Sequence, residues 1–246
     1  MSTPRSVLIT GATAGIGRAC AEAFHADGWE VWICGRRAER LAEVSAALGE
    51  RLHTFELDVR DNAAVEQALA DIPVPDVLVN NAGLSRGLEP LWEGSLEDWN
   101  EMLDTNVKGL LHVSRALIAR MMENGGGHII NIGSIAGHEV YPNGAVYCAS
   151  KHAVTAITRS LRMESCGRGI KVSSVDPGLV NTEFSTVRFH GDSERADQAY
   201  LGITPLLGAD VAETVLWVAT RPAHVNLAEI LLLPTDQAST TISHRD

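Results

Sequence analysis

The chain has 246 residues, 45% hydrophobic and 21% charged, enough to bury a large core without disulfides or metals. Its net charge of −11 argues against a nucleic-acid partner and against an acidic membrane surface, and no apolar run approaches the ~18 residues of a membrane span. The apolar run in MSTPRSVLITGATAG is too short for a signal peptide, so a cytoplasmic location is expected.

The first apolar run, SVLIT (6–10), reads as a buried strand and leads through TGATAGIG (10–17) into a helix over 16–27. EVWICG (30–35) is a second strand, followed by a helix over 37–48. RLHTFELD (51–58) and a helix over 61–71 follow, then DVLVN (76–80) and one long helix over 97–124. GHIINIG (127–133), a helix over 147–166 and IKVSSVDPG (170–178) continue the alternation. After an irregular stretch, a helix over 209–220 and the strand EILLLP (229–234) complete it. Runs so rich in Val, Ile and Leu suit parallel strands buried on both faces. Strand–helix alternation of this kind predicts an α/β fold: one doubly wound parallel sheet of about seven strands with helices on both faces. No linker or low-complexity segment interrupts it, so 1–246 reads as a single domain.

Gly11, Gly15 and Gly17 lie between the first strand and its helix. Such a turn brings bare backbone close to a pyrophosphate, and the helix N-terminus adds unpaired N–H groups and the positive end of its dipole. The second strand ends at Gly35 and is followed by Arg36 and Arg37, with no Asp or Glu at positions 34–38. In a Rossmann-type fold an acid near this point holds the 2′-hydroxyl of NAD, whereas an arginine accommodates the 2′-phosphate of NADP. NADP is therefore the expected coenzyme. The coenzyme half would span about 1–133, and the catalytic and substrate half about 134–246. A substrate lid is expected over 179–208.

Tyr147 and Lys151, in YCASK, share a helix face at i and i+4. An ammonium beside a phenol favours phenolate, which suits proton transfer. Cys148, next to Tyr147, reads as a small buried thiol. The four cysteines form no CxxC pair, and His112, His128, His138 and His152 lack paired ligand spacing, so neither a disulfide framework nor a metal is expected.

These motifs in this order resemble the short-chain dehydrogenase/reductase family over almost the whole chain. The resemblance implies a coenzyme site formed by Gly11, Thr13, Gly15, Ile16 and Gly17, with Arg36, Arg37, Asp58 and Val59 around the adenosine. Asn80, Ala82 and Gly83 of NNAG would lie beneath the nicotinamide end. Pro177, Gly178, Val180 and Thr182 of DPGLVNT would border its carboxamide. An alternative reading has Asn80 and Asn81 simply satisfying backbone groups at a strand end. DTNVKG, NIGSIAG and VYCASK place Asn106, Ser134, Tyr147 and Lys151 at the family's catalytic positions. Tyr147 would act as acid and base on the substrate oxygen, and Ser134 would orient that oxygen. Lys151 would lower the phenol pKa and hold the ribose, and Asn106 would hold a water linking Lys151 to solvent.

Longer stretches such as NNAGLSRGLEP and TEFSTVRFHGD resemble bacterial NADP-dependent 3-hydroxy acid dehydrogenases. The resemblance implies a small anionic hydroxy acid or aldehyde substrate and a homotetramer. Arg188, in the lid, can grip an acid group through its bidentate fork, with Tyr141 lining the pocket and Arg86 as a second cation. Alternatively, Arg188 forms a salt bridge with Asp192 or Glu194. A sulfoacetaldehyde reductase, a short-chain alcohol or carbonyl reductase and a catalytically silent NADP-binding regulator are the competing readings.

Overall fold

The structure is a computed structural model that describes residues 5–246. In chain order it contains β1 (Ser6–Thr10), α1 (Gly15–Ala26), β2 (Glu30–Gly35), α2 (Ala38–Leu48), β3 (Leu52–Glu56) and α3 (Asn62–Ala70). Then come β4 (Val77–Asn80), α4 (Leu96–Leu103), α5 (Leu110–Glu123), β5 (Gly127–Ile132), α6 (Ala145–Glu164) and β6 (Ile170–Pro177). The last third adds β7 (Val180–Asn181), α7 (Phe184–Arg188), α8 (Ser193–Asp197), β8 (Leu206–Leu207), α9 (Gly208–Ala219) and β9 (Glu229–Leu232).

Seven strands form one parallel sheet in the order β3-β2-β1-β4-β5-β6-β9, the doubly wound architecture expected from the alternation. Successive residues of a strand point to opposite faces, so each strand feeds two cores. Val7 and Ile9 of β1 pack with Phe24 of α1 and Val215 of α9. Leu8 between them packs with Leu69 of α3 and Leu117 of α5 on the other face. The chain runs outward through β1, β2 and β3, then returns to place β4 on the other side of β1. That reversal opens a crevice at the carboxyl ends of β1 and β4, where such sheets bind ligands.

The helix predicted over 97–124 is present as a continuous helical stretch, α4 and α5, with a wider, π-type turn inside it at Asp104–Gly109. Two contacts account for it. Gly109 presses on Val59, where a Cβ would come within 2.5 Å of Cγ2, and Asn106 is drawn onto the backbone of Leu84. Neither contact has a trace in the local hydrophobic period. The stretch expected to be an irregular lid carries structure as well: β7 and β8 pair with each other, and α7 and α8 lie between them.

Candidate active site

The crevice is a cleft of about 550 Å³. Gly11 and Gly15 take positive φ values of +67° and +54°, which L side chains rarely adopt. A Cβ on Gly11 would lie 2.7 Å from Ala82 Cα, so the turn can approach NNAG only without a side chain. Thr10 Oγ1 accepts from the backbone N–H of Asn81 and Ala82, fastening the two loops together. The resulting wall offers bare backbone at the start of α1, and a dinucleotide's pyrophosphate fits that surface. Gly11, Thr13, Gly15, Ile16, Asp58, Val59, Ala82, Gly83, Pro177, Gly178, Val180 and Thr182 all line the cleft.

Two predicted coenzyme residues contribute differently. Gly17 is buried and makes room for the Asn81 amide, which a Cβ would meet at 2.4 Å. The Asn80 side chain is also buried; its amide donates to Ser114 and Asn131, both at 2.9 Å. Asn80 thus joins a buried side-chain network and does not line the cleft, whereas Asn81 lines the cleft and is the asparagine whose amide satisfies backbone groups, the carbonyls of Thr10 and Gly11.

Arg36 and Arg37 line the cleft where the 2′-phosphate was expected. Arg37 donates to Thr13 Oγ1 and pairs with Glu183 of the lid at 3.0 Å, and Arg40 joins at 2.7 Å. Arg36 faces Glu101 at 3.5 Å, a carboxylate shared with Arg86 and Arg60. Arg60 also holds Asp58 at 2.6 Å. Burial pushes Glu101 up, but its arginines outweigh that and hold it below the usual carboxylate range. Five guanidinium groups thus meet three carboxylates, leaving a positive rim on an acidic protein. The side chains of Arg36 and Arg37 are nearly half exposed, so their ion pairs are weak and can yield to a phosphate dianion. Glu183 and Glu101 lie 146 and 65 residues from Arg37 and Arg36, and no local pattern marks them.

At the other end of the cleft, α6 starts at Ala145, two residues before the predicted boundary, and presents Tyr147 from its first turn. Tyr147 packs edge-on against Phe184 of α7, with ring centres 5.6 Å apart. The Arg188 guanidinium lies 5.4 Å from the Tyr147 ring centre, 5.7 Å from Tyr141 and 5.8 Å from Phe184. It donates to Ser85 Oγ at 3.0 Å and to the Tyr141 hydroxyl. The alternative salt bridge with Asp192 or Glu194 does not form, and no carboxylate partners Arg188 among the described residues. Arg86, the second candidate cation, is held by Glu101 at 2.7 Å and by the Val187 carbonyl. Ser85 and Phe184 were missed in the sequence because Arg188 meets them only through tertiary packing.

Burial pushes the Tyr147 phenol above its ordinary value, and the neighbouring Tyr141 adds to this. The Ser134 hydroxyl and the Arg188 charge pull it back in part. The expected depression by Lys151 is absent in this arrangement. Lys151 Nζ lies 5.9 Å from the Tyr147 ring centre and donates to the Ile132 carbonyl at 3.0 Å. Burial also lowers the Lys151 pKa from 10.5 to about 8. The Asn106 side chain is engaged at both ends, exchanging two bonds with the Leu84 backbone and donating to Ser150 Oγ. It is a clamp on the loop after NNAG, so its side chain has no amide hydrogen directed at Lys151.

A doubly wound parallel sheet, a bare-backbone cleft at its switch point and a tyrosine, serine and lysine at one end define a dinucleotide-dependent oxidoreductase. The chain belongs to the short-chain dehydrogenase family, whose model matches residues 5–192. It is 47% identical over 245 residues to the NADP-dependent 3-hydroxy acid dehydrogenase YdfG of Salmonella typhi, covering 97% of this chain and 99% of the relative. It is 45% identical to sulfoacetaldehyde reductase 2 of Chromohalobacter salexigens, covering 94% and 95%. Among solved structures it resembles the closed form of a serine dehydrogenase complexed with NADP+. The TM-score is 0.94 and the identity 45%, over 98% of this chain and all of that one.

Proposed function

We propose that this protein is an NADP-dependent oxidoreductase acting on small 3-hydroxy acids of the serine, allo-threonine or 3-hydroxypropionate type, or on the matching aldehyde or ketone. When bound, the coenzyme supplies or accepts the hydride at its nicotinamide ring. The observation that carries the substrate class is Arg188: a guanidinium flanked by three aromatic rings, that of Tyr147 among them, with no carboxylate partner among the described residues. An uncompensated cation in such a setting favours an anion, and the planar fork matches a carboxylate. A substrate bound there would place its hydroxyl near Tyr147 and its acid group on Arg188, a span that suits a short chain.

On this reading Tyr147 donates a proton to the developing alkoxide in reduction and accepts the alcohol proton in oxidation. Its raised pKa keeps it a neutral phenol at rest, ready to donate. Ser134 orients the substrate oxygen, and Lys151 supplies the positive charge of the proton path. Asn106 fixes the Leu84 loop. Arg36 and Arg37 receive the 2′-phosphate. The chain acts as one domain, with residues 1–133 serving the coenzyme, 134–246 the substrate and 179–208 the lid.

No helix among the described residues is long and apolar enough to cross a membrane. We place the protein in the cytoplasm as a homotetramer. Exposed Trp217 on α9 and Leu231 on β9 support a contact between copies. Light scattering should give a mass near four times 26.4 kDa, and a clean monomer would reject the tetramer.

Initial rates of NADP+ reduction on 3-hydroxypropionate, L-serine, 2-hydroxyethanesulfonate and 1-propanol test the substrate reading. Fast turnover of a carboxylate with 1-propanol poor supports it. The sulfonate as the best substrate would select the sulfoacetaldehyde reductase alternative. Equal or better rates on 1-propanol would remove the anion role of Arg188 altogether.

A further inference from the structure

Lys151 belongs to a ring of contacts that the chemistry above leaves unused. Its ammonium donates to the carbonyl of Ile132, the last residue of β5, which pairs in register with Val175 of β6. The next residues along, Gly133 and Asp176, meet at the same junction. A Cβ on Gly133 would lie 1.8 Å from Asp176 Oδ1, so the carboxylate fills the space of the missing side chain. Asp176 is fully buried. Its Oδ2 accepts from Ser174 Oγ at 2.9 Å and from His138 Nε2 at 3.0 Å. His138 follows the turn Ile135–Gly137, and that turn is fastened back onto α6. Thr155 Oγ1 lies 3.2 Å from the carbonyl oxygens of both Gly137 and Lys151.

The other carboxylate oxygen, Oδ1, is buried and has no hydrogen-bond donor among the described residues. An ionised oxygen in that position is costly unless a positive charge compensates it. Three charged or titratable groups act on Asp176: His138 from the turn, and Lys151 and Arg159 from α6. His138 is engaged at Oδ2, and Arg159 is paired with Glu229 of β9 at 2.7 Å. Lys151 is left as the buried cation without a charged hydrogen-bond partner, and Asp176 as the buried anion with a bare oxygen.

We infer that Asp176, held by His138 and Ser174 in the gap at Gly133, is the counter-charge and positioning residue of Lys151. The inference rests on the role proposed above for Lys151 in the proton path. The electrostatics run in the same direction. Burial draws the Lys151 pKa down, and Asp176 is the group that holds it up. Burial in turn pushes the Asp176 carboxyl up, while His138, Ser174 and Lys151 draw it back toward the ionised form.

The test is Asp176→Asn, read by NMR titration of the isotope-labelled Lys151 side-chain nitrogen and by the pH profile of kcat. With the counter-charge gone, the lysine midpoint should fall from about 8 by about one pH unit, the effect of a nearby opposite charge. The alkaline limb of kcat should move by the same amount, with little change in KM for NADP+. His138→Gln keeps a donor for Oδ2 and should preserve the native midpoint. His138→Leu loses that donor, favours protonated Asp176 and should reproduce part of the shift. A purely structural role would lower kcat evenly across pH. An Asp176→Asn protein whose Lys151 midpoint stays in place overturns the inference even if its activity drops. If that variant does not fold, His138→Gln and His138→Leu with identical Lys151 midpoints overturn it instead. The NMR readout needs no substrate, so failure of the 3-hydroxy acid assignment would leave this result readable.

Discussion

At one end of the cleft Gly11 and Gly15 hold bare backbone against Ala82 and Thr182; at the other, Ser85, Tyr141, Tyr147 and Phe184 surround the guanidinium of Arg188. On the proposed reading the glycine turn at the first end would receive its ligand through N–H groups and close approach, so adding atoms there should damage it. On the same reading the second would work through one charge and the side chains that aim it, so single substitutions should retune it.

The largest effect should come at the end that holds Tyr147. Tyr147→Phe removes only the phenolic oxygen and should lower kcat by roughly a hundredfold to ten-thousandfold, the range for losing a general acid–base group. NADP binding followed by tryptophan fluorescence should persist. Near-normal turnover would show that the proton moves elsewhere. Gly11→Ala tests the backbone end next. The added Cβ meets Ala82 and sits at a positive φ, so urea unfolding should show a loss of about 2–4 kcal/mol. NADP affinity should fall with it. An unchanged affinity would mean that the turn does not touch the coenzyme.

Arg188→Ala tests the side-chain end. It should raise KM for a 3-hydroxy acid by roughly ten- to a hundredfold, equivalent to about 1.5–3 kcal/mol for hydrogen bonds to a charged group. Rates on 1-propanol should hardly change, and a parallel loss on both substrates would indicate a collapsed lid. Arg188→Lys keeps the charge without the fork and should fall between the two. The smallest effect is expected at Arg37, whose side chain is 45% exposed. Arg37→Ala should reduce the preference for NADP over NAD by about three- to tenfold, in keeping with an exposed ion pair. Glu183→Gln should raise that preference slightly, because the carboxylate competing for Arg37 is gone. Coenzyme preference measured as the ratio of kcat/KM values checks both.

Legibility in the sequence followed the same division. The first two strands have the boundaries read from SVLIT and EVWICG, and the other five differ by at most two residues at either end. Buried parallel strands leave unbroken apolar runs, which makes them easy to find. The glycine turn was legible because a positive φ and a close approach both demand glycine. The long helix over 97–124 was legible as a helical stretch, but the π-type turn inside it at Asp104–Gly109 was not, because that turn leaves the local apolar pattern without a signal. Asn80 and Asn81 could not be separated by motif alone; the opposite faces of a strand and its following turn sent one into the core and the other to the cleft.

By itself, then, the sequence determined the doubly wound sheet, the switch-point cleft and the arginine-bearing end of β2, because each rests on short-range backbone geometry and hydrophobic period. Only the tertiary structure decided which carboxylates those arginines meet and that Arg188 has none among the described residues. The same holds for Lys151, whose ammonium donates to the Ile132 carbonyl and lies 5.9 Å from the ring centre of the tyrosine four residues away. Charge partners are chosen by proximity in space, and in this fold the relevant proximity is between strand ends and lid segments that the chain order keeps far apart.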